Sequence, residues 1–406
     1  MSANEQASRT RTGSRLPTIA GLVWLALTCG AVAQQPSADA GSRSPSTLRV
    51  GPTRTIQTIA EAARRARDGD TVEVDAGDYR RDVAVWRQDR LTIRAVGGRV
   101  RLLADGDSAE GKAIWVVRGG RVSVEGFDFE GTRVAARNGA GIRFEAGQLT
   151  VHDCRFFDNE MGLLTSNDPH AELTIEDSEF AHNMRPDGHD HNLYAGTIAK
   201  LSVRGSYIHH ATIGHLLKSR AAVNHIFYNR LTDEAGGRAS YELEFPNGGV
   251  AVVVGNIIEQ SALTENTIMI SYGAEGYQWP TNALVLVNNT LVDDLPHGGV
   301  FLRVVPGNVQ VKAVNNLLVG NDSLLDTAAP GDYHDNFHVD QDAFVDAPGY
   351  DYRLVRGASV LGKAVDPGQF DGMALRPTHE YAHPRGTATL TRPARHPGAL
   401  QHLADR

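Results

Sequence analysis

Between Val122 and Gly320 one phrase recurs: a short β-rich run, a small or amide residue, a second apolar run and a polar turn. The copies are VSVEGFDF, LTVHDCRF, LTIEDSEF, LSVRGSYI, NHIFYNRL, AVVVGNII, ALVLVNNT and VQVKAVNN. The residue after the middle strand is, in turn, Phe127, Cys154, Ser178, Ser206, Asn229, Asn256, Asn289 and Asn316, at intervals of 23 to 33 residues. A period in that range marks a solenoid, whose units bury their apolar faces only by stacking on one another. Within a copy the apolar residues alternate, as Leu201 and Val203 do, which is strand periodicity. The last four markers are all Asn; in a coil of parallel rungs about 4.8 Å apart, such amides hydrogen-bond up and down a ladder. Asn also tolerates left-handed backbone, so the same residues suit a sharp bend. The repeat therefore predicts an all-β chain, a right-handed parallel β-helix.

Ahead of the repeats, Ile56, Ile59, Ala63 and Ala66 fall on one face of a helix over Thr55 to Ala66, with Arg64 and Arg65 near its C-terminal end. That helix caps the open first rung, which is otherwise a bare edge. The stretch TIQTIAEAARRARDGDTVEVDAGDY closely resembles the opening motif of the pectate lyase-like superfamily of β-helix proteins. DYRLVRGASVLGKAVDPG resembles that superfamily's closing rung. The resemblance spans Leu48 to Gly368 and implies the fold. It implies no single reaction, because this fold hosts lyases, hydrolases, epimerases and non-catalytic adhesins.

The expected organisation is a signal peptide over 1–33, a disordered leader over 34–47, the β-helix over 48–368 and an irregular tail over 369–406. Arg9, Arg11 and Arg15 precede the apolar run IAGLVWLALTCGAVA, which ends in an A-x-A site at Ala33. A cleaved export signal predicts a secreted or periplasmic protein, with no stable membrane insertion and a monomeric mature chain. It leaves one thiol, Cys154, at a ladder position, where burial makes it inert. The formal charge of −8 over 406 residues argues against a nucleic-acid partner. It leaves room for a local basic cleft that holds an acidic polysaccharide.

Strand alternation sorts the polar residues of the middle rungs. In LLKSRA, Leu217 and Ser219 point in, leaving Lys218 and Arg220 out. In SYELEF, Tyr241, Leu243 and Phe245 point in, leaving Glu242 and Glu244 out. In HNLYAG, Leu193 points in, leaving Asn192 and Tyr194 out. Stacked in register, these form one patch, which Arg143, Glu145 and Arg303 extend. Tyr277 and Trp279, in the loop SYGAEGYQWP, are expected beside it as a sugar platform or as packing for a widened rung.

Such a patch suits β-elimination on a uronic-acid polymer, which needs a base, an acid for the leaving oxygen and charge stabilisation at the carboxylate. Lys218 is the expected base and Arg220 the carboxylate clamp. Tyr194, His191 or His215 supplies the leaving-group proton; Asn192, Arg143 and Arg303 bind substrate; Glu242 and Glu244 hold calcium. The arrangement resembles that of the calcium-assisted β-helix lyases, such as chondroitinase B and related alginate lyases. Three other readings stand beside it. Glu242 and Glu244 can be the carboxylate pair of a glycoside hydrolase. The protein can be a non-catalytic carbohydrate-binding or surface β-helix. The charges can also form a solvated cross-rung salt-bridge row. His189 and His191 flank Asp190 in a loop more typical of surface residues than of a metal site.

Overall fold

A computed structural model describes residues 44–185, 190–320, 323–325 and 329–403. The fold described below lies in the compact unit Pro45–Arg406. The expected signal and leader, residues 1–43, and His189 lie outside the described residues.

Among the described residues, twenty-nine strands form a single sheet in which every pairing is parallel, wound as a solenoid from Thr47 to Val339. Inward rows run the length of the coil. One passes through Val151, Ile175, Val203, Ile226, Val253, Leu286 and Ala313. A second begins with the stacked rings of Phe129, Phe156 and Phe180, 4.9 and 4.5 Å apart, and continues as Ile208, Leu231, Ile258 and Leu291.

The amide ladder is present and longer than the repeat suggests. Nδ2 of Asn229, Asn256 and Asn289 each donates to Oδ1 of the next Asn at 3.0 Å, and Asn316 donates to Asn336 at 2.8 Å. Upstream, Cys154, Ser178 and Ser206 continue the line through backbone N–H groups bonded to the next side chain. The left-handed residue of each bend is not the ladder residue but the one before it. Asp153, Asp177, Gly205, Tyr228, Gly255, Asn288, Asn315 and Asp335 all have φ between 46° and 68°. Each ladder amide thus keeps ordinary backbone and spends its polar atoms on its neighbours. Cys154 is fully buried in this line, and burial pushes its thiol up to about 12.

The N-terminal helix is Ile59–Arg65, shorter than expected because Thr58 caps it by accepting from Glu61 N–H. Asp82 also accepts from the N–H groups of Ile59 and Ala60. Ile59, Ala62 and Ala63 bury its inner face, while Ile56 precedes it in an isolated bridge to Val50.

The C-terminal part departs from expectation. Asp351–Leu354, within the stretch read as a closing rung, pairs antiparallel with Phe344–Asp346 outside the coil. The tail, expected to be irregular, then runs back along the coil flank. Tyr381 and Ala399 pack with Tyr207, Ile257, Val292 and Leu317 in a second core, and Arg385 reaches Glu179 and Asp153 at 2.9 Å.

Candidate active site

One outward row crosses seven successive positions of the coil: Arg143, Leu164, Tyr194, Lys218, Glu244, Ser271 and Arg303. The alternation read from the sequence places Tyr194, Lys218, Glu244, Arg143 and Arg303 correctly on this face. Two residues beyond Lys218, Arg220 projects beside the row.

The charges interlock. Lys218 Nζ lies 2.8 Å from Glu244 Oε2 and 3.2 Å from Glu275 Oε1. Arg220 Nη2 lies 2.6 Å from both carboxylate oxygens of Glu275, and Nε donates at 3.2 Å. The Arg220 Nη1 group donates to Tyr194 Oη, and the guanidinium lies 5.2 Å from the centre of the Tyr194 ring. On the other side, His215 Nδ1 sits 3.2 Å from Glu244 Oε2. The His215 ring packs 4.5 Å from His191 and 5.0 Å from Tyr241. His191 stacks on Tyr194, and its Nδ1 accepts from His215 N–H at 3.0 Å, which leaves its proton on Nε2.

Burial decides the electrostatics. It raises the Glu244 carboxyl above its ordinary value even with Lys218 beside it. At Glu275 burial also pushes upward, but Arg220 and Lys218 outweigh it and hold the carboxyl below the usual range. Burial pulls the Arg143 guanidinium down, and its Nε has no hydrogen-bond partner among the described residues. Glu145 is taken up by Lys112 and Arg118.

A solved structure shares this winding. Pectate lyase Pel9A superposes with a TM-score of 0.55 at 11% identity, over 82% of this chain and 94% of that one. The likeness is one of fold, a parallel β-helix. An alginate lyase from Paenibacillus sp. str. FPU-7 matches with a TM-score of 0.47 at 13% identity, over 72% of this chain and 99% of that one. No protein-family model and no curated protein sequence matches the chain.

Strand alternation fails where the β-helix bends. Glu242 occupies the position of Leu216 and Met269 in neighbouring rungs, both core residues, and is itself fully buried. Tyr241 pairs with His215 instead of entering the core. At this corner two consecutive residues, Glu242 and Leu243, face inward. Glu242 and Glu244 therefore stand on opposite sides of the coil wall and do not fit a shared calcium ion or flank one glycosidic bond. Among the described residues no group of three or more His, Cys, Asp or Glu is arranged for a metal.

Asn192 is likewise at the corner. It is fully buried and ends a second amide ladder, in which Asn159 donates to Asn183 at 3.0 Å and Asn183 donates to Asn192 at 2.9 Å. It cannot touch substrate. Tyr277 is wedged against Gly248, Gly273 and Gly307, and its hydroxyl donates to Val305 O, so it packs the widened rung. Trp279 donates from Nε1 to Arg220 O at 3.0 Å and braces that residue's backbone.

Glu275 is the site residue that sequence reasoning missed. It sits in an irregular loop with no period to place it, and the only signal is one acidic residue between glycines in YGAEGY.

Proposed function

We propose that the protein is a polysaccharide lyase that cleaves a uronic-acid polymer by β-elimination. The observation that carries the reading is the bidentate seat of a carboxylate, Glu275, on Arg220 with Lys218 alongside, next to Tyr194 and a His215–Glu244 pair. A planar guanidinium matches a carboxylate in a way that a point charge does not. Pectate lyase Pel9A, which shares the fold, is a lyase by name, and that supports the class.

Arg220 and Lys218 hold the uronate carboxylate and stabilise the negative charge that develops on it. Lys218 is the base expected from strand alternation. Its amine is instead taken up by two carboxylates, Glu244 and Glu275. The base role therefore passes to His215, whose Nδ1 faces Glu244, an arrangement that orients the imidazole for proton abstraction. His215 takes the proton α to the carboxylate, and the electron pair moves into the carboxylate system. It then forms the ring double bond as the bond to the glycosidic oxygen breaks. Tyr194, hydrogen-bonded to Arg220, gives its proton to that oxygen. Arg143, two positions before Tyr194 in the row, binds a neighbouring uronate.

Incubation with alginate, pectate and glycosaminoglycans tests this. Release of unsaturated uronate ends absorbing in the near ultraviolet is expected, and is abolished in Arg220→Ala. New reducing ends without that absorbance indicate a hydrolase, and binding without product indicates a lectin-like protein.

A further inference from the structure

We infer that Glu275 holds the place of the substrate's carboxylate, an internal occupant of the Lys218–Arg220 receptor that an incoming uronate displaces. This rests on the uronate-lyase reading above and adds the residue that sets its affinity. Two features separate Glu275 from an ordinary buttressing ion pair. Its carboxylate takes the Nε–Nη2 edge of Arg220, with Nη2 at 2.6 Å from each oxygen, and also Lys218 at 3.2 Å. Its side chain is also 43% exposed, whereas Glu244, on the other side of Lys218, is 5% exposed. Glu244 belongs to the wall, and Glu275 lies over it from the solvent side.

The backbone that carries Glu275 is pinned. Its N–H donates to Pro246 O at 2.8 Å, Gln278 N–H donates to Asn247 O at 2.9 Å, and Trp279 holds Arg220 O. Gly273 and Gly276, at φ 83° and 86°, form the tight turn around it. Vacating the receptor therefore takes side-chain rotation alone, with no movement of the loop. A ligand that must first displace an occupant binds with an affinity reduced by the fraction of receptor that is free. The receptor accordingly favours a planar carboxylate that reproduces both contacts of Glu275, and gives nothing to a neutral sugar.

The experiment is calorimetric titration of saturated galacturonate, mannuronate and guluronate trisaccharides into the full-length wild type, Glu275→Gln, Glu275→Ala and Arg220→Ala, each checked for an unchanged melting temperature. For a trisaccharide that wild type binds, both Glu275 variants are expected to bind roughly fivefold more tightly, the scale of a part-exposed ion pair. Arg220→Ala loses binding. Equal or weaker binding by the Glu275 variants overturns the inference and leaves the lyase reading standing. Absence of uronate binding in wild type and in both Glu275 variants overturns the lyase reading, and the inference with it.

Discussion

Glu242 and Glu244 stand two residues apart on the strand Tyr241–Phe245, yet Glu242 is enclosed in the coil while Glu244 meets Lys218 outside it. Neither oxygen of Glu242 has a hydrogen-bond partner among the described residues. Burial, with Asp233 and Glu259 nearby, raises its pKa well above the ordinary value.

Linkage turns that into a stability prediction. The folded pKa is raised above the unfolded one, so folding takes up a proton. The stability this gives is complete below the unfolded value of about 4.3 and is lost as pH rises towards the folded value. Asp233, raised by burial to about 7, acts in the same direction. The melting temperature of wild type should therefore rise as pH falls from about 8 to about 5. Glu242→Met, placed between Leu216 and Met269, should stabilise by about 1–3 kcal/mol at the upper pH and flatten the slope. Scanning calorimetry across that range checks both.

The ladder gives a second prediction. Asn256 is fully buried and bonds both of its neighbours, Asn229 and Asn289, and Ile226 O. Asn256→Ala leaves several of those groups unpaired and should cost at least about 1–3 kcal/mol. Asn336→Ala, at the half-buried last position, should cost clearly less. Urea unfolding of the two variants compares them directly.

A third concerns the proposed base and its positioning residue. His215→Ala should lower kcat by roughly 10²–10⁴, the usual worth of general base catalysis. Glu244→Gln should lower it less and displace the pH–rate profile, because Glu244 acts through His215. Steady-state kinetics from about pH 5 to 9 separates the two, and a purely structural Glu244 leaves the profile in place.

A fourth concerns the second core, where the antiparallel pair Phe344–Asp346 and Asp351–Leu354 packs together with the tail. Tyr352 is 2% exposed in the second core, so Tyr352→Ala should destabilise by roughly 3–5 kcal/mol, the cost of deleting a buried aromatic. Thermal unfolding followed by light scattering should show earlier aggregation as the coil flank with Ile257, Val292 and Leu317 is uncovered.

The coil was legible because its stability is periodic: each rung repeats the same inward pair, and Asn229 to Asn316 repeat the same amide. The row Tyr194, Lys218, Glu244 was legible for the same reason, since parity along a straight strand fixes the face. Parity fails at corners, where Asn192, Tyr241 and Glu242 were misplaced. Glu275 and the tail strap were not legible, because they meet the coil through contacts distant in sequence, such as Arg220 with Glu275 and Asp153 with Arg385, that no local pattern records.

The most direct test of the central claim is cleavage of a uronate polymer in water enriched in heavy oxygen, with the products weighed by mass spectrometry. β-Elimination consumes no water, so the account predicts products that carry no heavy oxygen, one end of each cut being an unsaturated uronate. One heavy oxygen per cut at the new reducing end would contradict it.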